Sequence, residues 1–505
     1  MAVAPGTGRR PRQRAVDRVL DVAGPRTVAG SVTTWRDQTG DNVTGRAADP
    51  SKELALSRPA TSELYPHQLT GIDFLMRRDF ACLWDSPGLG KTCCAIRAID
   101  ALQAEKVLII CPAAVRSVWA DEIALWSQRS LPVHIEYGYP RNTPQRGITI
   151  IGHAALSSAK GHNGYGLRYL KQGRPYDVVV LDEQHLGFKD QGAQRARNFF
   201  FPDGVCERAK HVWCLTGTPL VNSAADLWLT AYGMMGTPDQ WTDWCRKYTV
   251  CKRDNFAPGG FKPTGIRQTD KLVEMFWPYA LRRTLDSVGI ELPELTVSDV
   301  PIKIDNRRLM VINRSLADWD PAHVGRVLAE RGEIHDPALA TARREIGLSK
   351  VPQVVHMAAH LLQEGSGPVV VAFQHTDVRK FLAADLQGMG YRVGWIDGKI
   401  PPTRVRTARK ALADGEIDVL LLQTDCGGVG LSLVESCRMI VAELPWTSVA
   451  LHQVIKRLHR IGAISPVTAY VVKLHGCWLD ELMSTTITRK DRAASEFLDG
   501  LTVDA

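Results

Sequence analysis

The stretch ACLWDSPGLGKT, residues 81–92, decides the fold. Its apolar run stops at Asp85, a glycine-containing turn follows, and Lys91-Thr92 open a segment with helical spacing, so a strand passes through a loop into a helix N-terminus. Backbone N–H groups beside Gly88 and Gly90 can ring a polyphosphate because glycine permits close approach. Lys91 adds charge there, and Thr92 supplies a hydroxyl suited to Mg²⁺. The strict phosphate-loop pattern asks for glycine at position 85, where this chain has Asp85, and a bare GKT also fits the start of an ordinary helix.

Outward from the loop, the β-rich runs KVLII (106–110), ITIIG (148–152), DVVVLD (177–182) and HVWCLT (211–216) alternate with helical stretches. That alternation predicts a parallel sheet covered by helices. A second series predicts a second lobe of the same kind: PVVVAF (368–373), YRVGWID (391–397), IDVLLLQT (417–424), MIVAEL (439–444) and TAYVVKL (468–474). The chain then divides into a flexible basic arm (1–61), a first lobe (62–285), a connector holding ELPELTVSDVP (286–350), a second lobe (351–490) and a tail (491–505). No apolar run approaches the roughly 18–20 residues of a membrane span. The eleven cysteines show no C-x-x-C pair, so they read as reduced core residues. A net charge of +8 over 505 residues permits a polyanionic partner without choosing one.

Further motifs fall at strand ends. VVVLDEQH (178–185) offers Asp182 to a metal and Glu183 to an attacking water, at the C-terminal edge where open α/β sheets hold ligands. LTGTPLVNS (215–223) turns Thr216 and Thr218 toward the same edge. In LYPHQ (64–68), Gln68 has the paired donor and acceptor that match an adenine edge. The second series carries TDCGGVGLSL (424–433), with Gly428 where a backbone would approach phosphate, and then Gln453-Val454-Ile455-Lys456-Arg457-Leu458-His459-Arg460. Arg457 and Arg460 are spaced i,i+3 on one predicted helix face, so they either reach a transferring phosphoryl group or form a basic surface.

The order of phosphate loop, DExH, TGTP, glycine loop and Q-x-x-x-R-x-x-R resembles superfamily-2 helicases and translocases. DSPGLGKT, CPAAVRSVWADEIALW (111–126), LRRT (281–284), GGVGLSL and HRIG (459–462) resemble the Swi/Snf-type branch in particular, and its D-x-x-GLGKT accounts for Asp85. LYPHQ and AELPW (442–446) are most similar to annealing helicases and their phage and bacterial relatives. The chain departs from the branch at Trp84, Pro87, Gln184, Lys456 and Ala463.

The resemblance implies two tandem RecA-like α/β lobes, each on a parallel sheet, with an ATP cleft between them. Carried over, Gln68 recognises adenine, Lys91 and Thr92 hold phosphates and Mg²⁺, Asp182 holds the metal, Glu183 is the base, and Gln453, Arg457 and Arg460 complete the site. It also implies sequence-independent binding of duplex or forked DNA, with Arg116, Ser117 and Thr424 as candidate contacts. The expected location is cytoplasmic: nucleoid-associated in a bacterium or phage-infected cell, nuclear in a eukaryote. The competing readings are a strand-separating DNA or RNA helicase, an ATP-inactive nucleic-acid scaffold and a small-molecule P-loop kinase. An intact Lys91, Asp182-Glu183 and arginine pair argue against the scaffold, and the second lobe against the kinase.

Overall fold

The computed structural model describes residues 64–138, 144–157, 165–221, 223–235, 239–254, 260–331, 334, 336–365, 367–398, 400–424, 431–484 and 502. In the first lobe the strands are β1 (Phe80–Leu83), β2 (Lys106–Cys111), β3 (Val133–Ile135), β4 (Gly147–Gly152), β5 (Tyr176–Asp182), β6 (Ala209–Leu215), the antiparallel hairpin β7 (Val250–Arg253) and β8 (Phe261–Thr264), and β9 (Ala280–Leu281). Its helices are α1 (Pro66–Met76), α2 (Lys91–Ala101), α3 (Arg116–Trp126), α4 (Tyr165–Leu170), α5 (Gln194–Phe200), α6 (Trp228–Met235), α7 (Trp241–Tyr248) and α8 (Thr269–Phe276).

Apart from the hairpin, these strands form one parallel sheet in the order β3-β4-β2-β5-β6-β1-β9. Strands β1, β2 and β4 are buried along their whole length, as expected where helices cover both faces. Successive side chains alternate between those faces: Cys82, Leu108 and Ile110 enter one apolar cluster, and Ala81, Leu83, Val107 and Ile109 enter the other.

The second lobe repeats the plan. Strands β10 (Leu295–Ile302), β11 (Val369–Phe373), β12 (Val393–Ile396), β13 (Val419–Gln423), β14 (Arg438–Val441) and β15 (Val467–Leu474) lie parallel in the order β10-β15-β14-β11-β13-β12. Helices α9 (Asn306–Ser315), α10 (Pro321–Arg331), α11 (Pro337–Gln363), α12 (Thr376–Gly388), α13 (Pro402–Ala413) and α14 (Ser448–Ile455) accompany them. The fold is the expected pair of RecA-like parallel-sheet lobes.

The connector over 286–350 is corrected by this topology. Most of it belongs to the second lobe: β10 pairs with β15 over its full length, and Ile312, Leu316, Val324, Leu328, Leu339 and Ile346 share an apolar cluster with β11, β13, β14 and β15. The prolines of ELPELTVSDVP suggest a linker, but Pro301 sits on an edge strand, where a missing N–H breaks no ladder. The segment that links the two sheets is residues 282–294. The basic arm and the tail lie outside the described residues, except for Thr502, which forms an isolated parallel bridge with Arg282. Among the described residues no helix is long and apolar enough to cross a membrane, and Cys251 is exposed instead of buried.

Candidate nucleotide site

The phosphate loop between β1 and α2 is shaped by what lies behind it. Gly88 and Gly90 have φ of +97° and +84°, a left-handed backbone that glycine adopts at little cost. A Cβ at Gly90 would fall 2.4 Å from Gln68 Nε2, so a side chain there would have to displace the end of Gln68. His67 Nε2 donates to the Leu89 carbonyl at 3.0 Å, and Gln68 Oε1 accepts the Tyr65 N–H at 3.1 Å. The predicted adenine reader is thus turned against the back of the loop, with 6% of its surface exposed.

Asp85, the departure from the strict pattern, is fully buried. Arg283 grips its carboxylate through Nε at 3.0 Å and through Nη2, while Nη1 donates to the His67 carbonyl. One guanidinium thereby ties β9, the phosphate loop and α1 together. Lys91 Nζ donates to the carbonyls of Asp85 (2.7 Å) and Ser86 (3.3 Å). Burial lowers its pKa, while Glu183, Asp85 and Asp182 act in the opposite direction.

β5 delivers Asp182 as its last residue, and Glu183 follows with φ of +48°, a conformation that a non-glycine residue holds only when its surroundings enforce it. Trp119 Nε1 donates to Asp182 Oδ2 at 2.8 Å, and His153 Nε2 donates to the Asp182 main-chain carbonyl at 2.8 Å. Burial, reinforced by the Glu183 charge, pushes the Asp182 carboxyl up to about 7. Burial also pushes Glu183 up, but His185 at 3.2 Å, Lys91 and the Thr216 hydroxyl at 3.2 Å outweigh it and hold that carboxyl below its usual range.

The sequence predicts Thr216 beside the triphosphate, and the structure corrects this. Thr216 is fully buried behind Glu183, with His185 Nδ1 2.8 Å from its hydroxyl, and Gly217 and Thr218 form the cleft wall instead.

The second lobe faces this edge with Leu431, Gln453, Lys456, Arg457 and Arg460. Its arginines are not on the predicted helix. α14 ends at Ile455, and the chain tightens into a turn in which Arg457 N bonds the Val454 carbonyl and Leu458 N the Ile455 carbonyl. Leu458 is fully buried there, and the Leu433 N–H bonds the Arg457 carbonyl, so core packing fixes the turn. Both guanidiniums still converge, donating to the Leu431 carbonyl at 3.3 and 3.4 Å. Burial, with Arg460 nearby, lowers the Arg457 pKa to about 10, which leaves it charged at neutral pH. Its Nε is buried without a hydrogen-bond partner, a donor held in reserve in the wall of the cleft. Gln453 Nε2 approaches His185 Nε2 to 3.4 Å, a polar contact from lobe to lobe.

Lys91, Thr92, Asp182 and Glu183 from one lobe and Gln453, Arg457 and Arg460 from the other therefore line a single cleft. Its chemistry fits a nucleoside triphosphate and a hard divalent cation. Glycine amides and the four cationic side chains of Lys91, Lys456, Arg457 and Arg460 surround the space, while the Thr92 hydroxyl and the Asp182 carboxylate offer the oxygen ligands Mg²⁺ prefers. Among the described residues no cluster of three or more His, Cys, Asp or Glu could hold a metal alone, so phosphate and water oxygens would complete the shell.

Gly428 lies outside the described residues. The candidate DNA contacts are largely not supported: Ser117 and Thr424 are buried, and the Thr424 hydroxyl donates to the Phe373 carbonyl at 3.0 Å. Arg116 remains partly accessible, though Nη1 donates to the Glu136 carbonyl at 2.6 Å. Sequence reasoning missed Trp119, His185 and Arg283 as parts of the site. LRRT, set beside a buried aspartate, is the signal that could have found Arg283.

Two RecA-like lobes that each contribute charged groups to one cleft are the arrangement of a helicase-type nucleotide-binding core. An SNF2-related domain matches residues 67–318 and a helicase conserved C-terminal domain matches 351–462, and the chain belongs to the Swi/Snf-type group of superfamily-2 helicases. It is similar to the DNA annealing helicase and endonuclease ZRANB3 of Bos taurus, 25% identical over 461 residues, covering 87% of this chain and 41% of that protein. A probable global transactivator of Orgyia pseudotsugata multicapsid polyhedrosis virus is 23% identical, covering 79% of this chain and 84% of that one. The Sulfolobus solfataricus SWI2/SNF2 ATPase core in complex with dsDNA aligns at 16% identity and a TM-score of 0.39, covering 89% of this chain and 98% of that one. The chain spans about two-fifths of the length of the annealing-helicase relatives it matches.

Proposed function

We propose that this protein is a DNA-dependent ATPase that moves on duplex or forked DNA, remodelling forks or rewinding strands in recombination or repair. The observation that carries the reading is the single cleft in which Lys91, Asp182 and Glu183 of one lobe meet Arg457 and Arg460 of the other. Annealing-helicase relatives along 87% of the chain support the fork-remodelling part.

In this reading Lys91 and the glycine amides bind the phosphates, and Glu183, kept ionised by His185 and Thr216, accepts the proton of the attacking water. Arg457 and Arg460 offset charge that develops as the terminal phosphoryl group transfers. Mg²⁺, held by Thr92 and Asp182, neutralises phosphate charge when bound. Because the site is complete only when both lobes face it, hydrolysis is coupled to their closing and opening, and DNA held across both lobes would be moved by that cycle. Binding is to phosphates and therefore sequence-independent and steeply salt-dependent. The protein would act where DNA is, in the nucleoid or the nucleus.

The test is ATP hydrolysis without nucleic acid and with matched lengths of single-stranded, duplex and forked DNA and RNA, followed by annealing and displacement assays on a fork. Duplex or forked DNA should stimulate most. RNA as the best activator, or unwinding of long duplexes without annealing, would favour a strand-separating helicase instead.

A further inference from the structure

We infer that Trp119 is a positioning residue for the cation site, orienting the Asp182 carboxylate through its indole N–H; the inference rests on the nucleotide reading of the cleft. Trp119 is carried by α3, a helix that contributes nothing to the cleft wall, and is 2% exposed within the apolar cluster on one face of the first sheet. Packing alone explains its bulk. It does not explain where the N–H points. Trp84 and Trp213 in the same lobe are equally buried, and their indole nitrogens have no hydrogen-bond partner, so this core does not need to satisfy each such group. Trp119 Nε1, in contrast, lies 2.8 Å from Asp182 Oδ2.

A carboxylate at a strand end is free to turn about its last torsion. At Asp182 the backbone is fixed by β5 and by the 2.8 Å bond from His153 to the main-chain carbonyl, and the Trp119 bond, beside a main-chain hydrogen bond from Glu183, restrains how the carboxylate turns. Hydrogen bonds that orient a ligating carboxylate typically govern metal affinity by ten- to a hundredfold.

The experiment titrates Mg²⁺ into the full chain with a fluorescent ATP analogue and reads nucleotide binding, not turnover. Trp119→Phe keeps the aromatic packing and removes the N–H. The Mg²⁺ concentration for half-maximal binding should rise about tenfold or more, while binding in EDTA and the unfolding temperature stay at wild-type values. A requirement within twofold of wild type would overturn the inference, as would an equal loss of binding with and without Mg²⁺, which marks a general packing defect. Should Trp119→Phe fail to fold, benzothienylalanine at position 119, with the same shape and no N–H, is held to the same two outcomes. In an Asp182→Asn background the Trp119 change should add nothing further, and an additive shift would refute the coupling. If the wild-type protein binds no nucleotide at all, it is the reading of the cleft that fails, visibly and before any variant is compared.

Discussion

Lys91 and Glu183 ought to fail in different ways. Lys91→Ala removes positive charge from the floor of the loop, so nucleotide binding and hydrolysis should both fall, hydrolysis by a hundredfold or more. Glu183→Gln keeps the shape and removes the base: hydrolysis should fall as far while a fluorescent nucleotide still binds. Phosphate-release rates within about twofold of wild type for either variant would unseat the assignment. Arg457→Ala and Arg460→Ala should leave nucleotide affinity nearly intact and cut turnover strongly, because their charge matters most as the transition state forms. Normal hydrolysis with weakened DNA binding would make them a basic surface instead. These four residues were legible because each follows a glycine, a strand end or a short spaced repeat. The Trp119–Asp182 bond was not, since it joins positions 63 residues apart and a buried tryptophan reads as core from any local window.

Among the elements, α11 shows what local pattern hides. Lys350, in a charged stretch that reads as connector, is 1% exposed: its Nζ meets Asp480 Oδ2 at 2.7 Å and the Val472 carbonyl at 2.8 Å. Asp480 in turn accepts the Leu474 N–H at 2.6 Å, so one charge pair fastens α11 to the end of β15. Removing one partner of such a pair strands the other in the core. Lys350→Ala should therefore destabilise the protein by about 3–5 kcal/mol, read as a lowered unfolding transition, and Lys350→Met with Asp480→Leu should cost less than either single change. The same blindness explains β10: proline and alternating exposure describe an edge strand as readily as a linker, and only its pairing partner, more than 160 residues later, separates them. The central strands were legible because burial on both faces requires unbroken apolar runs.

At the scale of the whole molecule, an ion pair and a covalent segment join the lobes outside the cleft. Arg406 on α13 holds Asp121 on α3 through two hydrogen bonds, at 2.8 and 2.5 Å, but both side chains remain one-third to one-half exposed. A pair in that setting contributes at most about 1 kcal/mol and weakens with salt. Arg406→Ala should thus shift the unfolding transition little, and a large shift would mark the pair as a principal clamp. The firmer link is covalent. Residues 282–294 join the two sheets and are pinned at either end, by Arg283 on Asp85 and by His459 on the Pro293 carbonyl at 2.7 Å. A tether this short keeps the arginine-bearing turn at an effective concentration in the millimolar range about the phosphate loop, far above any concentration at which a second molecule could compete. The two halves of the site should accordingly find each other by local search: hydrolysis per molecule should not fall on dilution, and mixing Lys91→Ala with Arg457→Ala protein should restore nothing.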